Sequence, residues 1–228
     1  MGLRNEWRHV QVAYRKIVEV YERANNVATF GNVDRWRREA VSLFLSLNGK
    51  APLKVLDAGA GPGNMAMHVK VEKYVVALDA TPEMLRPNTV ADDKVVGMFE
   101  YMPFRSGCFD LLLAGYSLHA ATDIEKAVAE FSRVAKFQVV VSIGNPDNKI
   151  MRRLLRFYAR HLLPRLVCLV APHEACMEYE KIYTIIASVP PNSRLREIVE
   201  KYSSLITFRE KGLGSVYIYV SRSTNDAS

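Results

Sequence analysis

The 228-residue chain predicts an α/β fold, a mostly parallel sheet with helices on both faces, and three observations carry this. From residue 53 onward, short apolar runs of strand length alternate with segments of helical periodicity, the pattern of strands joined by crossover helices. These runs are apolar at successive positions instead of alternating, so each strand expects cover on both sides. The first run, Val55-Leu56-Asp57-Ala58, enters the glycine-rich turn Gly59-Ala60-Gly61-Pro62-Gly63-Asn64. Without a Cβ in the way, such a turn lets a ligand come close to the backbone.

Taken in order, Val10, Tyr14, Ile17, Val18 and Tyr21 recur at helical spacing and predict an amphipathic helix from residue 3 to about 25, ended by Asn25-Asn26. A second helix is expected from Asp34, a first-turn acid, through Trp36, Ala40, Leu43, Phe44 and Leu47 to the breaker Asn48-Gly49. Strands are predicted at 53–58, 74–79, 95–98, 110–114 and 138–143, with helices at 64–69, 82–85 and 123–136. A helical segment over 147–170 follows, then a helix at 179–188, the break Pro190-Pro191, and a helix capped by Asn192. Two final strands, 205–210 and 215–221, joined by Lys211-Gly212-Leu213-Gly214, form a terminal hairpin. The sheet then has seven strands, the last antiparallel. Residues 1–228 are expected as one domain, with 1–50 as a helical cap and 147–190 as a lid or insertion.

Composition narrows the class. With 49% hydrophobic and 24% charged residues the chain is expected to be an ordinary soluble protein. The three cysteines, Cys108, Cys168 and Cys176, are odd in number and lack CxxC spacing, which suggests neither a disulfide framework nor a metal site and favours a cytoplasmic setting. No signal peptide is expected, and no apolar run reaches the roughly 18 residues of a spanning helix. The net charge of +7 favours proximity to polyanions or an anionic bilayer.

Asp79 ends the second apolar run, Tyr74-Val75-Val76-Ala77-Leu78, twenty positions after Gly59. A glycine turn followed by a carboxylate at the next strand tip is a nucleoside-binding arrangement, the acid accepting ribose hydroxyls. A dinucleotide turn would place its third glycine at position 64, where this chain has Asn; its glycines are 59, 61 and 63.

These residues, with Glu100-Tyr101-Met102-Pro103-Phe104 and Phe109-Asp110, resemble the class I S-adenosylmethionine-dependent methyltransferases. Tyr21 through Asn25, Phe30-Gly31 with Arg35-Trp36-Arg37-Arg38, and Thr122 through Ala127 are similar in particular to the ubiquinone/menaquinone biosynthesis C-methyltransferases. The resemblance implies a Rossmann-like sheet and S-adenosylmethionine as methyl donor. It implies donor contacts at Tyr21, Asp57, Gly59, Ala60, Gly61, Gly63, Asp79, Ala80, Met84, Phe99, Glu100 and Gly115, and an acceptor pocket at Arg35, Trp36, Tyr116 and Ser117. The acceptor would be a small or prenylated aromatic molecule such as a quinone precursor.

The family has Asp where this chain has Met98, so adenine must be held otherwise, for instance by the backbone at Phe99. His119 stands where the quinone-type family shows Arg and, as a neutral imidazole, is a candidate proton acceptor. Lys149, Arg152, Arg153, Arg156, Arg160 and Arg165 alternate with apolar residues and no acid. That segment reads either as a peripheral membrane contact or as a lid with a solvated basic face. Nucleic acid is a weaker partner, since no recognition motif accompanies the charge. The rival to catalysis is a methyltransferase-like binding protein associating with membrane or RNA.

Overall fold

The computed structural model describes residues 12, 21–47, 53–169 and 187–224. The strands are β1 (Leu53–Ala58), β2 (Lys73–Asp79), β3 (Asp93–Val96), β4 (Phe109–Gly115), β5 (Ala135–Ile143), β6 (Ser203–Lys211) and β7 (Val216–Ser223). They form one sheet in the order β3-β2-β1-β4-β5-β7-β6. The pairs from β3 to β5 are parallel. β7 lies between β5 and β6 and is antiparallel to both. The strand order turns back at β1, so the connections leaving β1 and β4 diverge and open a crevice at their carboxyl ends.

Helices cover both faces: α1 (Tyr21–Ala28), α2 (Val33–Leu47), α3 (Pro82–Leu85), α4 (Ile124–Val134), α5 (Lys149–Phe157), a π-helical turn Tyr158–Leu162, α6 (Leu163–Cys168) and α7 (Asn192–Tyr202). Successive residues of β1 explain the continuous apolar runs. Val55 joins the core beneath α2, with Ala40, Val41 and Phe44, whereas Leu56 joins the core beneath α4 and α7, with Phe131, Leu195 and Ile198. Both are fully buried, each worth about 1.5–3 kcal/mol relative to exposure. Asp123 caps α4, its side chain accepting from the backbone N–H groups of Glu125 and Lys126.

Several predicted boundaries shift. α1 runs through Asn25-Asn26 to Ala28, where Thr29 Oγ1 donates to Asn25 O at 2.8 Å and Gly31 N to Asn26 O at 2.8 Å. The segment after the glycine turn is a series of turns and a short 3₁₀ stretch, Ala66–His68, instead of a helix over 64–69, because Gly63 takes φ +91°. β3 begins at Asp93, two residues early; Gly97 N already donates to Asp79 O and turns the chain away. β5 starts at Ala135, so the predicted helical end at 136 lies in the strand. Pro191, not Asn192, occupies the cap of α7; the buried Asn192 side chain instead joins Asn145, Glu210 and Gly214. Cys168 is disulfide-bonded, although the odd count and the lack of CxxC spacing suggested no disulfide framework, while Cys108 is free. Most of the helix predicted over 3–25 and of that at 179–188 lies outside the described residues.

Candidate functional site

Two cavities open side by side at the carboxyl edge of the sheet. The first is a cleft with walls from the β1 turn (Gly59, Ala60, Gly61), the segment after β2 (Asp79, Ala80, Thr81, Met84), the β3 loop (Gly97, Met98, Phe99, Glu100) and the end of β4 (Gly115, Tyr116, Ser117), under Glu22 and Arg37. The second is roomier, about 440 Å³ against about 60 Å³. Its walls come from Phe30, Trp36, His119, Met151, Leu154, Tyr158 and Leu213 among others, and are mostly apolar. Tyr116 borders both.

The glycine turn is built by its neighbours. Gly59 has φ +67°, and a Cβ there would lie 2.3 Å from Ser117 Cβ and 2.8 Å from Phe99 Cζ. The Asp79 carboxylate stitches the turn to β2: Oδ2 accepts from Gly61 N at 3.0 Å and Oδ1 from Thr81 N at 2.8 Å. The Ala80 N–H is bonded to this carboxylate as well, which leaves one of its four acceptor positions for a further donor. Burial pushes this carboxyl up to about 6, opposed by the N–H groups of Thr81, Gly61 and Ala80. Beneath the turn Asp57 is 1% exposed. Its Oδ2 accepts from Ala66 N at 3.3 Å and its Oδ1 has no partner among the described residues. Burial pushes it up to about 7, against the Ala66 N–H and the Arg37 charge.

Arg37 closes the cleft from α2. It is buried, forks onto both Glu22 oxygens at 2.8 and 3.0 Å, reaches Asp34 at 3.1 Å and lies 5.4 Å from the Tyr116 ring centroid. This bidentate pair ties α1 to α2 over the cleft.

With this geometry the comparisons with known proteins are informative. The model of the ubiE/COQ5 methyltransferase family matches residues 2–220. The chain belongs to this family. It is similar to the demethylmenaquinone methyltransferase of Thermus thermophilus, 30% identical over 179 residues, covering 73% of this chain and 80% of that protein. A Roseiflexus protein of the same name is 27% identical over 225 residues, 92% of each chain. The ubiquinone/menaquinone biosynthesis C-methyltransferase of Citrifermentans bemidjiense is 27% identical over 181 residues, 72% of this chain and 76% of that one.

Among solved structures, a S-adenosylmethionine-dependent methyltransferase from Thermotoga maritima shares the fold, with TM-score 0.63 and 16% identity, over 94% of this chain and 99% of that one. So does the magnesium protoporphyrin IX methyltransferase of Synechocystis with bound SAH, with TM-score 0.58 and 10% identity, over 84% and 83%. A methyltransferase of the ubiE/COQ5 family is thus an enzyme dependent on S-adenosylmethionine.

Of the sequence-predicted residues, Gly59, Ala60, Gly61, Asp79, Ala80, Met84, Phe99, Glu100, Gly115, Tyr116 and Ser117 line the cleft. Gly63 and Asp57 do not line it; both sit behind the turn and shape it. Glu100 is no surface acid: it is buried, and its Oε1 accepts from Thr122 N at 2.6 Å, Thr122 Oγ1 at 2.8 Å and Asp123 N at 3.0 Å, fastening the loop to the start of α4. Trp36 and His119 fall in the second cavity. Arg35 is exposed and lines neither cavity, which corrects the pocket assignment. The buried face of α2 carries Val33, Arg37, Ala40, Val41 and Phe44, so helical period selects the neighbouring arginine. The Tyr21 side chain lies outside the described residues.

Sequence reasoning missed Asn88, whose Nδ2 donates to Gly61 O at 3.0 Å while its Oδ1 accepts from Val90 N and Ala91 N. No motif marks it; only the fold brings it under the turn. It missed Glu22 as well, although an acid fifteen positions before a buried arginine has no local signature.

Proposed function

We propose that the cleft holds S-adenosylmethionine and the second cavity an aromatic quinol-type acceptor with an apolar tail, methylated at a ring carbon. The observation that carries this reading is Tyr116, a wall common to both cavities, so that a donor in one and an acceptor in the other meet across a single side chain. The residues present fit the donor. A Cβ at Gly59 would fill the cradle, Asp79 has an acceptor position left for a ribose hydroxyl, and the orphaned Asp57 Oδ1 is a buried acceptor beneath the turn. Met84, Met98, Phe99 and Ala120 supply an apolar slot for adenine where an acid at position 98 is lacking. The bound sulfonium supplies an already activated methyl group, so the protein mainly aligns the acceptor carbon with it. Such alignment is worth up to about 7–11 kcal/mol. In this reading residues 1–228 form one domain, with 1–50 as cap and 147–190 as lid.

Among the described residues no helix is long and apolar enough to cross a membrane. A peripheral contact is supported by α5, where Ile150, Leu154 and Phe157 are 67%, 55% and 55% exposed and no residue of the helix is buried. Lys149, Arg153 and Arg156 lie alongside, and Phe30 and Leu213 stand exposed on the cavity wall. A tailed acceptor would enter there from an anionic bilayer. The rival of a non-catalytic binding protein is not favoured by membership of a methyltransferase family.

Calorimetry with S-adenosylhomocysteine tests the donor site: binding is expected, and Asp79→Ala should weaken it at least tenfold. Folded protein that does not bind, or a variant that binds undiminished, refutes the assignment. Incubation with demethylmenaquinol and isotope-labelled donor tests the acceptor, with the label expected on a ring carbon. Flotation with anionic vesicles should be lost in Arg153→Glu/Arg156→Glu and at high salt; equal binding to neutral vesicles refutes the charged contact.

A further inference from the structure

Among the described residues, three that carry a side chain take a left-handed backbone: Phe30 at φ +50°, Tyr116 at +57° and Leu213 at +59°. All three line the second cavity. For bulky residues this conformation is an outlier that persists only where the surroundings over-determine it, and such outliers cluster where ligands are held. Tyr116 is 4% exposed, so core packing offsets the cost. Phe30 and Leu213 are 73% and 78% exposed, so packing offsets little of it.

Both turns are tightly held. At the end of α1, Phe30 N donates to Val27 O at 3.1 Å and Gly31 N to Asn26 O at 2.8 Å, while Asn32 Nδ2 donates to the carbonyls of Thr29 and Phe30 at 3.1 and 3.2 Å. The Phe30 ring centroid lies 5.7 Å from that of Tyr158, whose hydroxyl donates to Ala28 O at 3.3 Å. Between β6 and β7 the chain runs left-handed through Gly212, Leu213 and Gly214, at φ +52°, +59° and +89°. Ser215 N donates to Gly212 O at 3.1 Å, and the buried Asn192 donates through Nδ2 to Gly214 O at 2.9 Å. Glycine is the residue that left-handed positions favour, and glycines stand beside both Phe30 and Leu213. Neither the local backbone nor the core therefore selects phenylalanine at 30 or leucine at 213. What the two side chains share is the cavity, and its described walls contain no acid, lysine or arginine. Such walls suit an apolar chain, not an ion.

We infer that Phe30 and Leu213 select the acceptor by its apolar tail: two strained turns present them at the second cavity to pack against that tail, and they serve neither the stability of the fold nor the reacting ring. The inference rests on the reading of the second cavity as the acceptor's place.

Stability and selectivity should therefore move apart. Phe30→Gly and Leu213→Gly relieve the left-handed strain and remove little buried surface, so neither should lower the urea midpoint. Trp36 lines the same cavity, and in a Trp7→Phe background it is the one tryptophan of the chain, so quenching of its fluorescence reads quinone binding without donor or turnover. The probes are a naphthoquinone with a short isoprenoid tail and the same ring without the tail, both in solution. Each glycine variant should bind the tailed quinone about tenfold more weakly and the bare ring within about twofold of its parent. Phe30→Leu and Leu213→Met keep an apolar side chain and should stay near the parent for both probes. In turnover the same selectivity is expected in KM for the tailed quinol, with kcat held.

A lowered midpoint in the glycine variants, equal losses for the two probes, or undiminished binding of the tailed quinone overturns the inference. Undiminished binding in solution together with lost flotation on anionic vesicles would make the pair a membrane contact instead. These outcomes leave the reading of the cavity standing. If neither quinone quenches Trp36 in protein that binds S-adenosylhomocysteine, that reading fails and the inference with it.

Discussion

Replacing Gly59 by alanine isolates what the donor turn requires, because the chain contains a matched control. Gly59 and Gly107 both have left-handed φ values, +67° and +63°, but a Cβ on Gly107 meets nothing within 4 Å. Gly107→Ala should therefore cost only the backbone penalty, about 1–2 kcal/mol. On Gly59 the new carbon would fall 2.3 Å from Ser117 Cβ, 2.7 Å from its Oγ and 2.8 Å from Phe99 Cζ. Neither neighbour yields easily: the Ser117 hydroxyl is bonded to Ala58 O at 2.8 Å, and the Phe99 ring stands edge-on to Phe131 at 5.6 Å. Overpacking of this kind adds about 1–3 kcal/mol, for a total of roughly 2–5 kcal/mol. Urea denaturation of the two variants should show Gly59→Ala clearly the less stable, and calorimetry should show S-adenosylhomocysteine affinity lost in Gly59→Ala alone. Equal destabilisation, or wild-type affinity in Gly59→Ala, would mean that the turn tolerates a side chain and that the cradle is not what binds the donor.

The two neighbouring arginines of α2 should separate sharply. Arg37→Met leaves Glu22 and Asp34 without their buried partner but still partly in solvent, 36% and 58% exposed, so about 1–3 kcal/mol is expected in thermal denaturation, against less than 0.5 for Arg35→Met. Asn88→Ala strips Gly61 O and two N–H groups of their partner; a loss of about 1–3 kcal/mol and weaker donor binding should follow. The pH dependence of folding should come largely from two carboxyls. Asp57 and Asp79 rise from 3.8 to about 7 and about 6 on folding, so the native state holds protons that the unfolded chain releases, and stability falls as pH rises from about 4 to about 7. For Asp57 the ceiling is roughly 4 kcal/mol. Asp57→Asn should flatten the urea midpoint over that range, and an unaltered pH profile would contradict the assignment.

The glycine-turn half of the candidate site was legible because its demands are local. Gly59, Gly61 and Asp79 lie within one strand-turn-strand unit, and the turn needs left-handed backbone that glycine supplies. The strands were legible for a related reason: residues 55 and 56 face opposite cores, so burial wrote itself into consecutive apolar letters. Arg35 was chosen over Arg37 because three arginines within four positions look alike until the phase of α2 is fixed by Val33, Ala40 and Phe44. Asn88 acts across 27 residues, a distance over which spacing carries no information. The β3 boundary slipped because an exposed edge strand of four residues has little pattern to read.

Tyr116 shows why the junction between the cavities stays rigid. It is a tyrosine at φ +57°, a conformation that costs a residue with a Cβ about 1–2 kcal/mol and persists only where its surroundings over-determine it. Here its N–H donates to Val141 O at 2.6 Å, extending the β4 ladder past the last strand residue, its ring packs in the core beneath α2, and Arg37 lies against the ring face. The left-handed turn places this side chain at the wall between the two cavities. Because Arg37 also holds Glu22 of α1, the same guanidinium that fixes the tyrosine fastens the cap. Fastening of α1 over the cleft and placement of Tyr116 between the two cavities therefore depend on one guanidinium, and on the proposed reading an enzyme that must only align two reactants needs no more elaborate machinery than that.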